Sequence, residues 1–406
     1  MSFKGTKVNK LNGGLGRTSI NDRVICLIAG TAVAGVVFNT PYELLDINAV
    51  EGLGITASSD DTDSELLHYH LSEMFRLAPE ATFWLIPVDK TKTVAALVAD
   101  TALKAAIRGI KNINVLGLSG LATPVASALV DAVALQSLVT SFLAEYLYID
   151  GIIVEGVGAA VAIEVTAYPD LRTITAPNIS YVIGHDPAVA KLKPGYALRA
   201  AIGTALGSVM VRKIHEDIGS VDIEEKPRTR RGEENYSLAD ESLGYWLSAA
   251  LSDGTAFETL TEAQQKSLTA KGWMYVGSFA NYPGFYWNGC PTAVSKNSDY
   301  AYFNFNCIWN KAARLIRKTL IPRIRSKVPT EPVTGYLKST WVSSCESSVN
   351  AALNAMVSAG NIEEKDVYIN PAQAIGEDTP LEIKSRLVVG RIVHEFSVDL
   401  GLTNNL

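Results

Sequence analysis

The side chains best able to carry chemistry in this 406-residue chain are its five histidines and four cysteines, together with two glycine-rich stretches. His68 and His70 form the one close histidine pair. A helix sends residues two apart to different faces, so shared metal ligation is not expected there. His215-Glu216-Asp217 has the residue types of an acid–base cluster, but at an expected helix end it reads as a solvated charge group. Cys26, Cys290, Cys307 and Cys345 are far apart, with no C-x-x-C pair. That spacing suggests neither a zinc site nor a disulfide framework, and it fits a reducing compartment. EGVGAAV (155–161) follows an apparent strand as a dinucleotide-binding turn would, yet Val161 occupies the third small position and no acid is clearly placed downstream. GGLGRTS (13–19) lacks the lysine of a phosphate-binding loop and follows no strand. Neither a G-x-S-x-G elbow nor an H-E-x-x-H pair is present. The expectation is a non-enzyme with no catalytic residue, no cofactor and no metal.

One charge feature stands apart. Between Ala301 and Thr330 there is no acid, while Lys311, Arg314, Arg317, Lys318, Arg323, Arg325 and Lys327 are basic. If 307–320 is helical, Ile308, Ala312, Leu315, Ile316 and Thr319 make the buried stripe, and Lys311, Arg314 and Lys318 share a separate face. Such a face is either ordinarily solvated or a docking surface for an acidic partner. The whole-chain charge of -6 argues against general affinity for nucleic acid.

These residues need a scaffold, and the composition provides for one. With 48% hydrophobic and 19% charged residues the chain is a well-buried globular sequence, long enough for two domains. No stretch of about 18 uncharged apolar residues suits a membrane helix, and MSFKGTKVNKLNGG has no apolar run after its lysines. Folding in the cytoplasm is expected.

Residues 1–22 are polar and glycine-bearing, the composition of an arm. Short apolar runs follow at VICLIAG, TFWLIPV (82–88), INVLGL (113–118) and GIIVE (151–155), with helical segments between them. The first helix is read from Thr62-x-x-Glu65 as a capping box, with Leu67, His70, Leu71, Met74 and Phe75 as its stripe and Pro79 beyond its end. Alanine-rich stretches at 94–108 and 121–145 also read as helical. This alternation predicts an open α/β sheet. A helix is expected within 197–217, its small residues allowing close packing, then an exposed loop at 224–237 and a further helix at 261–270. An aromatic-rich region from Trp273 to Trp309 marks a second domain. In SRLVVGRIVHEFSVDL, Ile392, His394, Phe396, Val398 and Leu400 alternate with mostly polar positions, a period-two strand. A strand at the terminus needs an edge, in its own domain or in a neighbouring subunit.

Three stretches resemble the tail sheath proteins of contractile phages, R-type bacteriocins and related injection systems. VICLIAGTAVAGVVFNTPYELLDINAVEGLGI (24–55) is similar to the family's opening strand and glycine turn. Residues 260–320 resemble its run from a helix through an aromatic turn and a Thr-containing loop into a basic helix, and LEIKSRLVVGRIVHEFSVDLGL (381–402) its terminal strand pair. The usual Gly-x-Arg-Thr appears here as Gly289-Cys290-Pro291-Thr292, and paired arginines become Asn310-Lys311.

The resemblance implies an α/β fold, α+β overall: an outer α/β domain (23–275), an inner α+β domain (276–384), and extended arms at 1–22 and 385–406. It implies a subunit that polymerises as stacked hexameric rings around an inner tube and contracts. Its partners would be itself, the inner tube protein, and baseplate and terminator or cap proteins, with no direct nucleic-acid contact and no membrane insertion. Lys311, Arg314 and Lys318 would contact the tube, and Ile392, His394, Phe396, Val398 and Leu400 would form the inter-subunit strand. Read from the residues alone, an α/β nucleotide- or cofactor-binding enzyme and another tail component such as a tube or baseplate protein remain open.

Overall fold

VICLIAG forms the centre of the sheet that its composition predicts. In a computed structural model, residues 23–159, 162, 164–376, 378–398 and 400 are described. The expected first arm (1–22) and the polar end (401–406) lie outside them. The chain divides into two compact units between Asn310 and Lys311.

The first unit is built on β1 (Ile25–Thr31), β2 (Tyr42–Leu44), β3 (Phe83–Asp89), β4 (Val115–Ser119), β5 (Gly151–Glu155) and β6 (Ile179–Val182), with a short edge strand at Trp273–Met274. Their order is β2-β3-β1-β4-β5-β6 and then the edge strand, parallel throughout except for β2, which runs antiparallel to β3. Ile25 lies opposite Phe83 on one side and Val115 on the other. All seven β1 residues are buried. A parallel strand covered on both faces requires such an unbroken apolar run.

One face is covered by helix Leu67–Leu77 packed on helix Ile202–Val211. The expected close packing lies here. A Cβ on Gly203 would meet the His70 carbonyl oxygen at 2.2 Å, and one on Gly207 would meet the Glu73 oxygen at 3.1 Å. Helix Ala128–Ala144 lies against the sheet through Ala128, Ala132, Leu135, Leu138, Val139 and Phe142. With the short helical turn before it, Val125–Ala144 has the length and mean hydropathy of a membrane span. Here it carries Asp131 and buries one face on β-strand side chains, as the core helix of an α/β layer does.

Four expectations change in detail. The capping box at Thr62 and Glu65 is not the cap. Thr62 ends within helix Ala57–Asp63, and the Asp60 carboxylate instead accepts the N–H groups of His68 (2.9 Å) and Tyr69 (3.0 Å). Glu65 turns away to accept from Thr31 (2.6 Å) and from Ala32 N–H (2.8 Å). The alanine-rich 94–108 stretch is two helices, Val94–Ala99 and Thr101–Gly109, because Asp100 between them accepts the N–H groups of Ala102 and Leu103 and starts the second. The helix sought within 197–217 is confined to Ile202–Val211. The boundary expected at 275/276 falls inside the first unit. Val276–Gly277 pairs with Tyr286–Trp287, the Trp287 indole N–H donates to Ser208 (3.2 Å), and Asn310 donates to the buried Asp150 carboxylate (2.9 Å).

The second unit contains helix Ser339–Ser358 and an antiparallel pair, Glu364–Tyr368 with Lys384–Val388. Helix Phe303–Leu320 runs through the division and begins four residues before the expected start. Its Ile308 and Ala312 are buried, as the expected stripe requires, while Leu315, Ile316 and Thr319 are half-buried.

Candidate functional site

In an open α/β sheet a ligand sits where the strand order reverses, outside the C-terminal ends of the strands. Here that place is between β1 and β4, and the chain itself fills it. Gly30 and Gly120 approach so closely that a Cβ on either would fall within 2.6 Å of the other's carbonyl oxygen. Glu155, at the end of β5 and fully buried, accepts from Gly120 N–H (2.8 Å) and pairs with Arg199 (3.1 Å), with His70 3.8 Å away. Burial alone would raise its pKa, but Arg199, His70 and the Gly120 N–H outweigh it and hold the carboxyl below its usual range. A carboxylate held ionised in this way, with Oε2 bonded to Gly120 and Arg199, ties loops together and is a poor proton acceptor. His185 beside it is pushed down to about 4 by burial, and its Nδ1 lies 2.7 Å from the Arg199 carbonyl, so the neutral ring donates there.

The glycine turn 155–161 is closed to phosphate for the same reason. Three of its N–H groups are already used: Gly156 donates to Val182, Val157 to Thr123 and Gly158 to Leu198. A Cβ on Gly158 would lie 1.8 Å from the Ser252 oxygen, so the backbone of the 250s occupies the space a pyrophosphate needs. Among the described residues the next regular element is the short turn Val165–Ala167, not the helix N-terminus that a dinucleotide site requires.

The other singled-out residues act locally. The His70 ring faces Glu155, while His68 lies 3.5 Å from Glu51, so the pair diverges as their spacing predicts. His215 pairs with Glu224 (2.7 Å), Glu216 accepts from Lys213 N–H, and Asp217 accepts from Gly219 N–H. All four cysteines are buried and free. Burial pushes the thiols of Cys26, Cys290 and Cys307 upward, leaving them unreactive. Among the described residues no group of three His, Cys, Asp or Glu side chains is placed to hold a metal.

The surface features lie in the second unit. Lys311, Arg314 and Lys318 fall at i, i+3 and i+7 of one helix, hence on one side of it. The Lys311 ammonium donates to Asn361 (2.7 Å), Arg314 is half-buried and Lys318 is exposed. Arg323 is drawn inward, donating to Ser348 (2.7 Å) and to the Cys345 sulfur (3.0 Å).

The terminal strand forms only in part. Its ladder runs from Lys384 opposite Tyr368 to Val388 opposite Glu364, and closes where Glu363 N–H donates to Val388. Residues 389–398 and Leu400, which include Ile392, His394, Phe396 and Val398, lie beyond it and form no ladder. Ile392 is half-buried, whereas Phe396 is 83% and Leu400 91% exposed. Large apolar side chains exposed along such a run are the kind of surface that marks an interaction site. The Glu155–Arg199–His70 network was not foreseen, and the one hint of it was the acid closing the apolar run GIIVE.

Comparison with known proteins gives a consistent result. Residues 3–291 match the family described as DUF2586, N-terminal domain, and residues 299–406 match DUF2586, C-terminal domain. No curated protein matches the chain. A chain of the anti-feeding prophage (AFP) baseplate, solved by cryo-EM, superposes with a TM-score of 0.61 at 13% identity, covering 99% of each chain. The AFP helical sheath in its contracted state gives 0.59 at 13% identity, covering 100% of both. The contracted sheath complex of PVC, an extracellular contractile injection system, gives 0.57 at 11% identity, covering 100% of this chain and 98% of that one. At these identities the likeness is one of fold.

Proposed function

The chain belongs to the DUF2586 family, and from that premise and its fold we propose that it is a structural subunit of a contractile sheath. It polymerises as stacked six-fold rings around an inner tube and contracts to drive the tube through a target envelope. One observation carries the reading: the fold likeness to sheath chains extends over essentially the whole length of both partners. A shared α/β layer alone would match only the first unit.

The mechanism follows from the two kinds of surface. A head-to-tail contact that does not close generates a helical lattice. Residues 389–400 pair with a neighbour's sheet edge by strand addition, seating Ile392, His394, Phe396, Val398 and Leu400. Such linkers keep subunits joined while rigid bodies rotate and repack, so contraction is a rigid-body lattice transition that needs no nucleotide. Residues 1–22 form a second arm. Lys311, Arg314 and Lys318 hold the extended sheath on an acidic tube surface through many weak contacts. Baseplate and terminator proteins bound the polymer, which assembles in a bacterial cytoplasm and ends in a phage tail or injection particle. The subunit performs no catalysis.

Negative-stain electron microscopy of the purified protein at rising concentration, with and without co-expressed neighbouring genes, tests the reading. Hollow striated tubes or stacked six-fold rings are expected. A uniform small particle under every condition overturns it. Glutamate at Lys311, Arg314 and Lys318 together should abolish tube-templated assembly, and unchanged assembly removes those residues from the tube contact.

A further inference from the structure

The first unit carries an open groove of about 650 Å³ below the N-terminal end of β3. Its floor is apolar, made by Ala78, Ala81, Met210, Val211, Ile223 and Pro227. Four carboxylates line it, Glu80, Asp222, Glu224 and Glu225, against two cations, Lys226 and Arg231. Their existing partners are surface side chains: Lys226 on Asp222 (2.7 Å), Lys213 on Glu224 (3.0 Å) and Glu225 (3.3 Å), and Arg228 on Glu80 (3.7 Å). Pairs of this kind are weak and readily shared with an incoming cation. Glu224 is held below its usual carboxylate range, chiefly by His215, and stays ionised.

We propose that residues 1–22 of the same chain occupy this groove before assembly. Two observations choose the occupant. The first is charge: residues 1–21 contain Lys4, Lys7, Lys10 and Arg17 and no acid, with Phe3, Val8 and Leu11 as apolar anchors for the floor. The second is where the described chain begins. The buried Arg23 guanidinium donates to the carbonyls of Val209 and Arg212, which flank the groove residues Met210 and Val211. The described chain therefore begins beside the groove, and 22 residues span up to roughly 75 Å, so reach is not limiting. On the sheath reading above, docking in cis keeps this arm from engaging a neighbour until assembly displaces it.

The test uses the full-length chain below its assembly concentration, with p-benzoyl-phenylalanine in place of Phe3, and maps photo-crosslinks by mass spectrometry. Intrachain crosslinks to residues 78–81 and 222–232 are expected. Glu80→Lys with Glu225→Lys should lower their yield at least fivefold, and adding Lys4→Glu, Lys7→Glu and Lys10→Glu should restore it. Circular dichroism confirms that the variants remain folded. Crosslinks elsewhere, crosslinks only between copies, no crosslinks, or a yield indifferent to charge reversal overturn the proposal. The readout is on the monomer, so it stands or falls separately from whether tubes form.

Discussion

The two compact units solve the burial problem in opposite ways. The first covers a seven-stranded sheet on both faces, and its largest fully buried side chains include Trp246, Trp273, Tyr168, Tyr181 and Phe142. The second offers one helix face, with Val349, Leu353 and Met356 at its centre, and a two-stranded sheet. A lone two-stranded sheet is marginal in water. Beyond that sheet the second unit leaves Val393, Phe396, Val398 and Leu400 exposed, each more than half. Under the proposed function a neighbouring subunit covers these side chains, whereas the sheet of the first unit is already covered by its own helices. Stability should therefore be measurable in the first and assembly in the second, with little cross-talk.

The largest effect expected is on assembly. Removing residues 389–406 should abolish polymers at any accessible concentration while leaving the circular dichroism melt of the monomer unchanged, because the ladder ends at Val388 and is left intact. A large fall in melting temperature would break the comparison from one side. From the other side, Gly203→Val should destabilise the first unit by about 3 kcal/mol in denaturant titration, since overpacking here meets backbone and not a movable side chain. A smaller, graded effect is expected for Phe396→Ala. Losing the burial of one aromatic side chain, about 2 kcal/mol, should raise the critical concentration roughly 30-fold by sedimentation without shifting the melt.

The smallest predicted effect is a pH slope confined to the first unit. Burial pushes the Asp60 carboxyl up to about 6, against the opposing N–H groups of His68 and Tyr69 and the charges of the nearby histidines. The folded state therefore binds this proton more tightly than the unfolded state does. The contribution is most favourable below the unfolded pKa near 4 and is lost as pH rises through about 6. Asp60→Asn should flatten stability across that window by an amount on the order of 1–3 kcal/mol, measured by denaturant melts at stepped pH.

The sequence announces local features and conceals distant ones. Continuous apolar runs at VICLIAG and GIIVE mark the parallel strands because strands buried on both faces leave no polar alternation to confuse the reading. Thr62-x-x-Glu65 fits the spacing of a capping box, yet Ser64 adopts φ +57° and breaks the helix there, leaving the cap to Asp60. Spacing alone carries no information on that backbone reversal. The Glu155–Arg199–His70 network joins residues 44 and 85 positions apart, and no local pattern encodes a contact at that separation. The terminal alternation predicts a strand at 391–400, but a strand needs a partner, and the ladder in this chain ends where Glu363 N–H donates to Val388.

Hydrogen–deuterium exchange of the backbone, compared between monomer and assembled protein, tests the central contrast most directly. The account predicts that β1, β3 and β4 are protected equally in both states, while residues 389–400 exchange within seconds in the monomer and become protected on assembly. Protection of 389–400 already in the monomer, or continued rapid exchange in the polymer, would contradict it.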